Sequence, residues 1–345
     1  MNLLKHEDQM PSCRKELFLK AKIITVKGVL VSYVSVYLLS EFFNPHQFHM
    51  IWVADGLRLC HDYGHFASYA AAIVASTLTL RTVCAGPLYT FTEKNQTLVT
   101  KVYCESAAEA ANPKFSISQK DGKINRRLQQ AMIRKLFTEK CQKYGCHPFK
   151  SSIFAMFQLP IWMTITFGLR NACGLQVTPF VYWPPTIPEF VTEGLVSPTT
   201  SLALIAATTF VTACNVEIGH LRRIYGQSMS IAIKEDPKAL ERGSVTASVP
   251  SYLPWQLKFA HGAGICGTCV ALVASFFAPS ALVIYWCTSG SHQLILHILH
   301  LNNRVRRFLG IPTSPIDAKH PYQALWSIAK SHYRILRWMT TTTSR

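Results

Sequence analysis

The chain has 345 residues, with 35 Lys+Arg against 18 Asp+Glu, 49% hydrophobic residues and only 15% charged residues. Soluble domains carry about a quarter charged residues, so this composition excludes a disordered chain and an ordinary soluble enzyme. The net charge of +17 therefore reads as basic loops on one side of a membrane, and the eleven scattered cysteines do not form a secreted disulfide framework.

In chain order, residues 1–50 are an N-terminal region with targeting or amphipathic character. Within it, 23–40 is an apolar run interrupted by Lys27, too short for a clean span. Residues 51–65 mix apolar positions with Asp55, Arg58 and Asp62 and suit an interfacial helix. Five apolar blocks follow at about 66–89, 149–169, 200–218, 257–278 and 280–301. Each is close to the ~20 residues that cross ~30 Å of hydrocarbon as a helix. A barrel would show ~10-residue alternation instead. Segment 90–148 is a polar, basic loop, and its stretch Asn125–Tyr144 places Leu128, Met132, Ile133, Leu136 and Phe137 on one helical face with cations elsewhere. Residues 302–345 form a basic tail. The expected fold is an all-α polytopic membrane protein: a core of five transmembrane helices (66–301), a polar groove, and an amphipathic helical loop after the first core span.

Loop charge sets the expected orientation. Residues 90–150 hold twelve Lys/Arg and five acids, 171–199 hold no Lys/Arg and two Glu, 219–254 hold five Lys/Arg and three acids, and the tail holds eight Lys/Arg and one acid. Basic and neutral loops alternate as five spans require. The basic ones lie on the negative side, with the N-terminal region opposite.

Arg81 is the charge in the first apolar block, about two-thirds of the way through it. An arginine at that depth costs at least ~2.5 kcal/mol unless it meets water or a partner. One reading is that it snorkels to the interface; the other is that it faces a hydrated groove. Polar stripes on other blocks favour the groove: Thr208, Thr212 and Asn215 in the third, Tyr285, Ser289, Gln293, His297 and His300 in the fifth, and Gln158 with Thr164 in the second. Lipid offers no hydrogen-bond partners, so such stripes turn inward, toward either a groove or a neighbouring helix. Pro160 removes one helical hydrogen bond and is expected to kink the second span. Gly262, Gly264 and Gly267 permit close packing of the fourth. Cys266-x-x-Cys269 lies in an apolar run, Cys141, Cys146 and His147 lack a fourth ligand, and Asn95-Gln96-Thr97 is a glycosylation sequon on the wrong side of the membrane. There is no P-loop, GxSxG or HExxH motif, so no covalent chemistry, metal or other cofactor is expected.

Three motifs then come together. Gly145-Cys146-His147-Pro148-Phe149-Lys150 precedes Gln158-Leu159-Pro160-Ile161-Trp162 and Gly168-Leu169-Arg170-Asn171. Leu80-Arg81 is followed by Pro87-Leu88, and the last block opens Pro279-Ser280-Ala281-Leu282-Val283-Ile284-Tyr285-Trp286. Gly310-Ile311-Pro312-Thr313 with Pro321-Tyr322 closes the pattern. This combination, covering about residues 50–330, resembles the Oxa/YidC/Alb membrane insertase family, and within it the mitochondrial branch that assembles cytochrome c oxidase. The resemblance implies a non-enzymatic insertase of the mitochondrial inner membrane, with Arg81 as groove cation and Trp286 beside the groove. Its implied partners are the lipid bilayer, cytochrome c oxidase subunit II, whose C-terminal tail it would export, and other assembly factors, with no nucleic acid. Segment 192–199 departs from the acidic motif usual before the third span. A general co-translational insertase is the nearest alternative, but Pro312, Pro315 and Pro321 break the tail where a long ribosome-docking helix is expected. A small-solute transporter, the more distant alternative, would show inverted repeats, and none is visible.

Overall fold

The computed structural model describes residues 48–110, 126–174, 187–235, 254–314, 318 and 320–333. The expectations for 23–40 and the remainder of the first 47 residues lie outside them. Among the described residues the fold is all helix, with one isolated bridge between Pro198 and Pro279.

Helix α1 (Phe48–Tyr63) precedes α2 (Tyr69–Leu80), which passes through a π-helical turn (Arg81–Ala85) into α3 (Gly86–Ala110). The turn has a local cause. Pro87 has no N–H to return to Val83 and its ring crowds that carbonyl, so the ladder widens and Gly86 N–H reaches back to Arg81 O. The hydrophobic block ends near Tyr89 but the helix does not. Pro87 is absorbed by the wide turn, and helix-forming residues carry α3 to Ala110. The unit from Tyr69 to Ala110 has 42 residues, roughly 63 Å at 1.5 Å per residue, about twice the hydrocarbon thickness. The first third of the expected 90–148 loop is therefore helix. It pairs with α4 (Arg126–Lys143) as a hairpin, tied by Lys140 Nζ to Glu109 at 2.8 Å.

The turn into α5 (Pro148–Ala172) explains the Gly-Cys-His-Pro-Phe-Lys motif. Gly145 has φ +62° and ends α4, where the Cys146 N–H returns to Cys141 O. His147 caps α5 by accepting from Phe149 N–H through Nδ1, and Pro148 takes the first helical position. Asn95 clamps the cap: its Nδ2 donates to His147 O at 2.9 Å and its Oδ1 accepts from His147 N–H. Asn95 is buried, so the sequon is occupied by structure.

Beyond α5 lie α6 (Glu189–Thr192), α7 (Leu202–Glu235), α8 (Trp255–Phe277), α9 (Ser280–Leu299), α10 (Asn303–Phe308) and α11 (Pro321–His332). Helix α7 packs between α8 and α9. Gly264 admits Val216 of α7, and Gly290 admits Val211. Gly262 and Gly267 have open space around them, so of the three glycines expected to serve packing, only Gly264 does. Helix α5 crosses α1 at Gly168, where an added Cβ would lie 2.6 Å from Val53. Among the described residues, three helices are long and apolar enough to cross a membrane: Tyr69–Ala110, Leu202–Met229 and Trp255–Phe277.

One core unites α1, α2, α5 and α9 with the segment around α6, through Tyr69, Ile73, Leu169, Ile187, Phe190, Leu282 and Tyr285. Residues 187–199 act as a strap there. Both Glu193 carboxylate oxygens accept from Tyr69 N–H at 2.9 Å, capping α2. Leu195 O and Ser197 O accept from Ala281 and Ser280 N–H, capping α9.

Candidate functional site

Arg81 sits at the mouth of the π turn, about 18 Å along the axis from Tyr69. It is buried, at 8% exposure. On one side is an open cavity of about 500 Å³, lined by Trp52 and Gly56 of α1, Thr77 and Val83 of the first core helix, and Ile165 and Leu169 of α5. Among the described residues of that lining, Arg81 is the only charged one. On its other side is α9, with Tyr285 (0% exposed), Ser289 and His292. Arg81, Ser289 and Thr166 are the polar neighbours of the Tyr285 hydroxyl, and His292 Nε2 lies 3.1 Å from Thr82 Oγ1. No carboxylate among the described residues forms an ion pair with Arg81.

The buried polar atoms here are under-satisfied. Tyr285 Oη, Trp286 Nε1 and His292 Nδ1 meet no partner at hydrogen-bond geometry among the described residues. Buried polar groups are almost always bonded to protein or to water. Buried groups of this kind are commonly satisfied by water.

A second polar centre lies further along the same helices. Arg222 of α7 donates to Glu93 at 2.7 Å and to the Tyr89 hydroxyl at 3.0 Å. Tyr89 Oη lies 2.9 Å from His297 Nδ1, and Gln293 Nε2 lies 3.2 Å from His297 Nε2. Thr90 Oγ1 lies 3.1 Å from His300 Nε2. Arg306 of α10 donates to Thr97, one turn from Glu93.

The residues marked in the sequence are thus distributed. Arg81, Tyr285 and Ser289 come together, with Trp286 half-buried beside them on the shared core. Gln293 joins the Arg222 centre. Thr208 and Thr212 donate to carbonyls of their own helix, Leu204 O and Thr208 O, and Asn215 Nδ2 bridges to Gly290 O of α9. This stripe faces a helix and not the cavity. Gln158 is half-buried between exposed Phe157 and Leu159, and α5 runs unbroken through Pro160. His292, Thr77, Glu193 and the Glu93–Arg222 pair were not singled out. Glu93 and Arg222 lie 129 positions apart, and no local pattern links them. Glu193, the second acid of an otherwise uncharged 171–199 segment, was the one available signal. Cys141 and Cys146 lie 3.8 Å apart and buried. Burial, with the neighbouring thiol, pushes Cys141 up to about 12, so the pair is inert packing.

No protein-family model matches the chain. Three curated proteins similar to it are each named cytochrome c oxidase assembly protein COX18, mitochondrial. The Homo sapiens protein is 23% identical over 207 residues, 56% of this chain and 52% of that protein. The Mus musculus protein is 22% identical over 267 residues, 73% and 71% of the two chains. The Saccharomyces cerevisiae protein is 25% identical over 281 residues, 72% and 84%. The match thus spans about half the length of the human relative. With the all-helical fold and the motifs around Arg81, Pro160 and Pro279, the likeness of this chain is to the Cox18 proteins.

Proposed function

We propose that this chain is a membrane protein insertase of the mitochondrial inner membrane that serves cytochrome c oxidase assembly, inserting subunit II and exporting its C-terminal tail. In this reading α2 with the start of α3, α5, α7, α8 and α9 make five spans, the N-terminal side faces the intermembrane space, and the basic loops and C-terminus face the matrix. The names of the relatives and the alternation of loop charge support it.

The observation that carries the reading is Arg81: buried, unmatched by a carboxylate among the described residues, and open to a largely apolar cavity beside under-satisfied α9 groups. A hydrophilic segment crossing a bilayer meets its barrier in the hydrocarbon. A cation with water at its side lowers that barrier for acidic residues, while apolar walls let the passenger's own spans leave into lipid. No bond is made or broken and no cofactor takes part.

The test compares tail export by wild type, Arg81→Lys and Arg81→Ala at matched protein levels. Lysine keeps a point cation and loses the forked donors, so export is partial. Alanine removes a costly buried charge, so the protein accumulates normally yet fails on a tail rich in Asp and Glu. A tail stripped of acids depends less on Arg81. Normal export of the acidic tail by the alanine variant would sink the proposal. A knockout separates the general co-translational alternative: loss confined to cytochrome c oxidase supports the specific role, and loss of all inner-membrane insertion supports the general one.

A further inference from the structure

The segment after α9 is built to hold two small helices against the end of the core. Asn302 caps α10 through Arg304 N–H. Gly310, at φ +65°, ends it, with Ile311 N–H returning to Arg306 O and Ile311 buried. Pro321 opens α11, and Ile328 and Ala329 bury one face of it where it packs on α7. The Tyr322 hydroxyl donates to Ile298 O, which fixes α11 at the level of the last turn of α9.

The opposite face of α11 has no cover among the described residues. Tyr322 and Trp326 are exposed one turn apart, and Lys330, a further turn on, lies over the Trp326 ring at 5.6 Å. Phe308 of α10 is 89% exposed, next to exposed Arg307 and close to exposed Arg304. The stripe continues onto Ile295, Ile298 and Leu299 of α9, also exposed. Large aromatics and cations side by side, at the level where an apolar helix surface ends, are the composition of a membrane–water interface: ring bodies in the acyl boundary, cations among headgroups. In water the same face would expose a contiguous apolar patch without purpose.

We propose that α10 and α11 form an interfacial platform that docks on anionic phospholipid at the basic face of the membrane, with Phe308, Tyr322 and Trp326 inserted at the acyl boundary and Arg304, Arg307 and Lys330 on headgroup phosphates. This rests on α9 crossing the bilayer. The occupant is lipid because the patch is continuous with the lipid-facing surface of α9 and because its cations are of one sign. The platform holds the Arg306 contact to Thr97 and the Tyr322 contact to Ile298 in register with the core, so the leaflet's charge is coupled to the middle of α3 and the end of α9.

The test uses the full-length protein in nanodiscs of phosphatidylcholine, with or without phosphatidylglycerol, carrying chains brominated near the headgroup. Trp326 emission is isolated as the difference from Trp326→Phe, whose thermal midpoint is checked against wild type. We expect bromine quenching of Trp326 that deepens with phosphatidylglycerol and weakens with salt. Arg304→Gln, Arg307→Gln and Lys330→Gln each reduce the preference for anionic over zwitterionic lipid by roughly fivefold. Trp326 emission that ignores brominated chains while aqueous iodide quenches it would overturn the docking and leave the face open to a protein partner. Single-cysteine labelling at the two ends of α9 in sealed vesicles tests the spanning separately. Both ends reactive from one side would overturn the span, whatever the quenching shows.

Discussion

Glu93→Gln is the substitution whose cost the structure fixes most closely. Glu93 and Arg222 are 2.7 Å apart with side-chain exposures of 7% and 21%, so both charges are largely removed from water. Removing one member of a buried pair costs about 3–5 kcal/mol, because the other is left uncompensated. Glutamine keeps the shape and one acceptor for Arg222, and a neutral hydrogen bond contributes about 1 kcal/mol where a charged one contributes about 2. Tyr89 also still accepts from Arg222 Nη1. The expected loss is therefore about 2–4 kcal/mol. Arg306, bonded to Thr97 one turn away, adds a second cation facing the lost carboxylate. Arg222→Met in the same background removes the stranded charge, so the double variant should recover at least about 1.5 kcal/mol relative to the sum of the singles. The assay is equilibrium unfolding of the full-length protein in one detergent for wild type, both singles and the double. Additivity within about 0.5 kcal/mol, the behaviour of independent sites, would refute the claim that this pair locks α3 to α7.

Three further outcomes follow from the geometry. Glu193→Ala should speed hydrogen exchange at the start of α2 by roughly fivefold, since an exposed carboxylate capping a helix start contributes about 1 kcal/mol; Glu193→Gln should cost about half of that, and unchanged exchange would show that the strap does not hold α2. Gly168→Ala should destabilise by about 1–3 kcal/mol and part α1 from α5, because the new methyl meets Val53; Gly262→Ala, in open space, is the control and should be neutral by thermal melting. Cys141 and Cys146 should resist alkylation at pH 8 until denaturant is added, because the Cys141 thiol stays protonated far above that pH and both sulfurs are buried; rapid labelling of the folded protein would contradict this.

Much of the architecture was readable because membrane helices announce themselves in composition. Apolar runs gave the helices, and a lone arginine inside one of them pointed to the candidate site, where Arg81 is buried beside a cavity. What could not be read depends on which faces oppose each other. Helical period put Thr208, Thr212 and Asn215 on one stripe, but only the crossing at Gly290 decides that the stripe meets α9. The end of hydrophobicity at Tyr89 was read as the end of a helix. Hydropathy reports the thickness of lipid, whereas the helix continues as long as its backbone is satisfied, and α3 runs on to Ala110. The strap was obscure for another reason: Glu193 caps a helix 124 residues away, and a cap at that separation leaves no local signature.

In the proposed function, the contrast between buried Arg81 and half-buried Arg222 decides which of them would act on a passenger. Arg222 has Glu93 and Tyr89 as partners and a histidine relay behind them, so an arriving carboxylate would have to break a 2.7 Å ion pair to reach it. Arg81 has hydroxyls and a histidine as neighbours, no acid among the described residues, and an open cavity in front. A carboxylate at 4 Å from it gains on the order of 4 kcal/mol at an effective dielectric constant of 20, much of which goes to stripping water from both groups. The remainder is a small attraction, enough to slow an acidic segment in the bilayer and too weak to trap it. A permanent acid beside Arg81 would abolish that attraction, and the open cavity at its side gives water access that lowers the cost of the cation. In the proposed function, the lack of a carboxylate partner for Arg81 among the described residues is the property that insertion would require, and the matched Glu93–Arg222 pair further along the same helices would hold the scaffold around it.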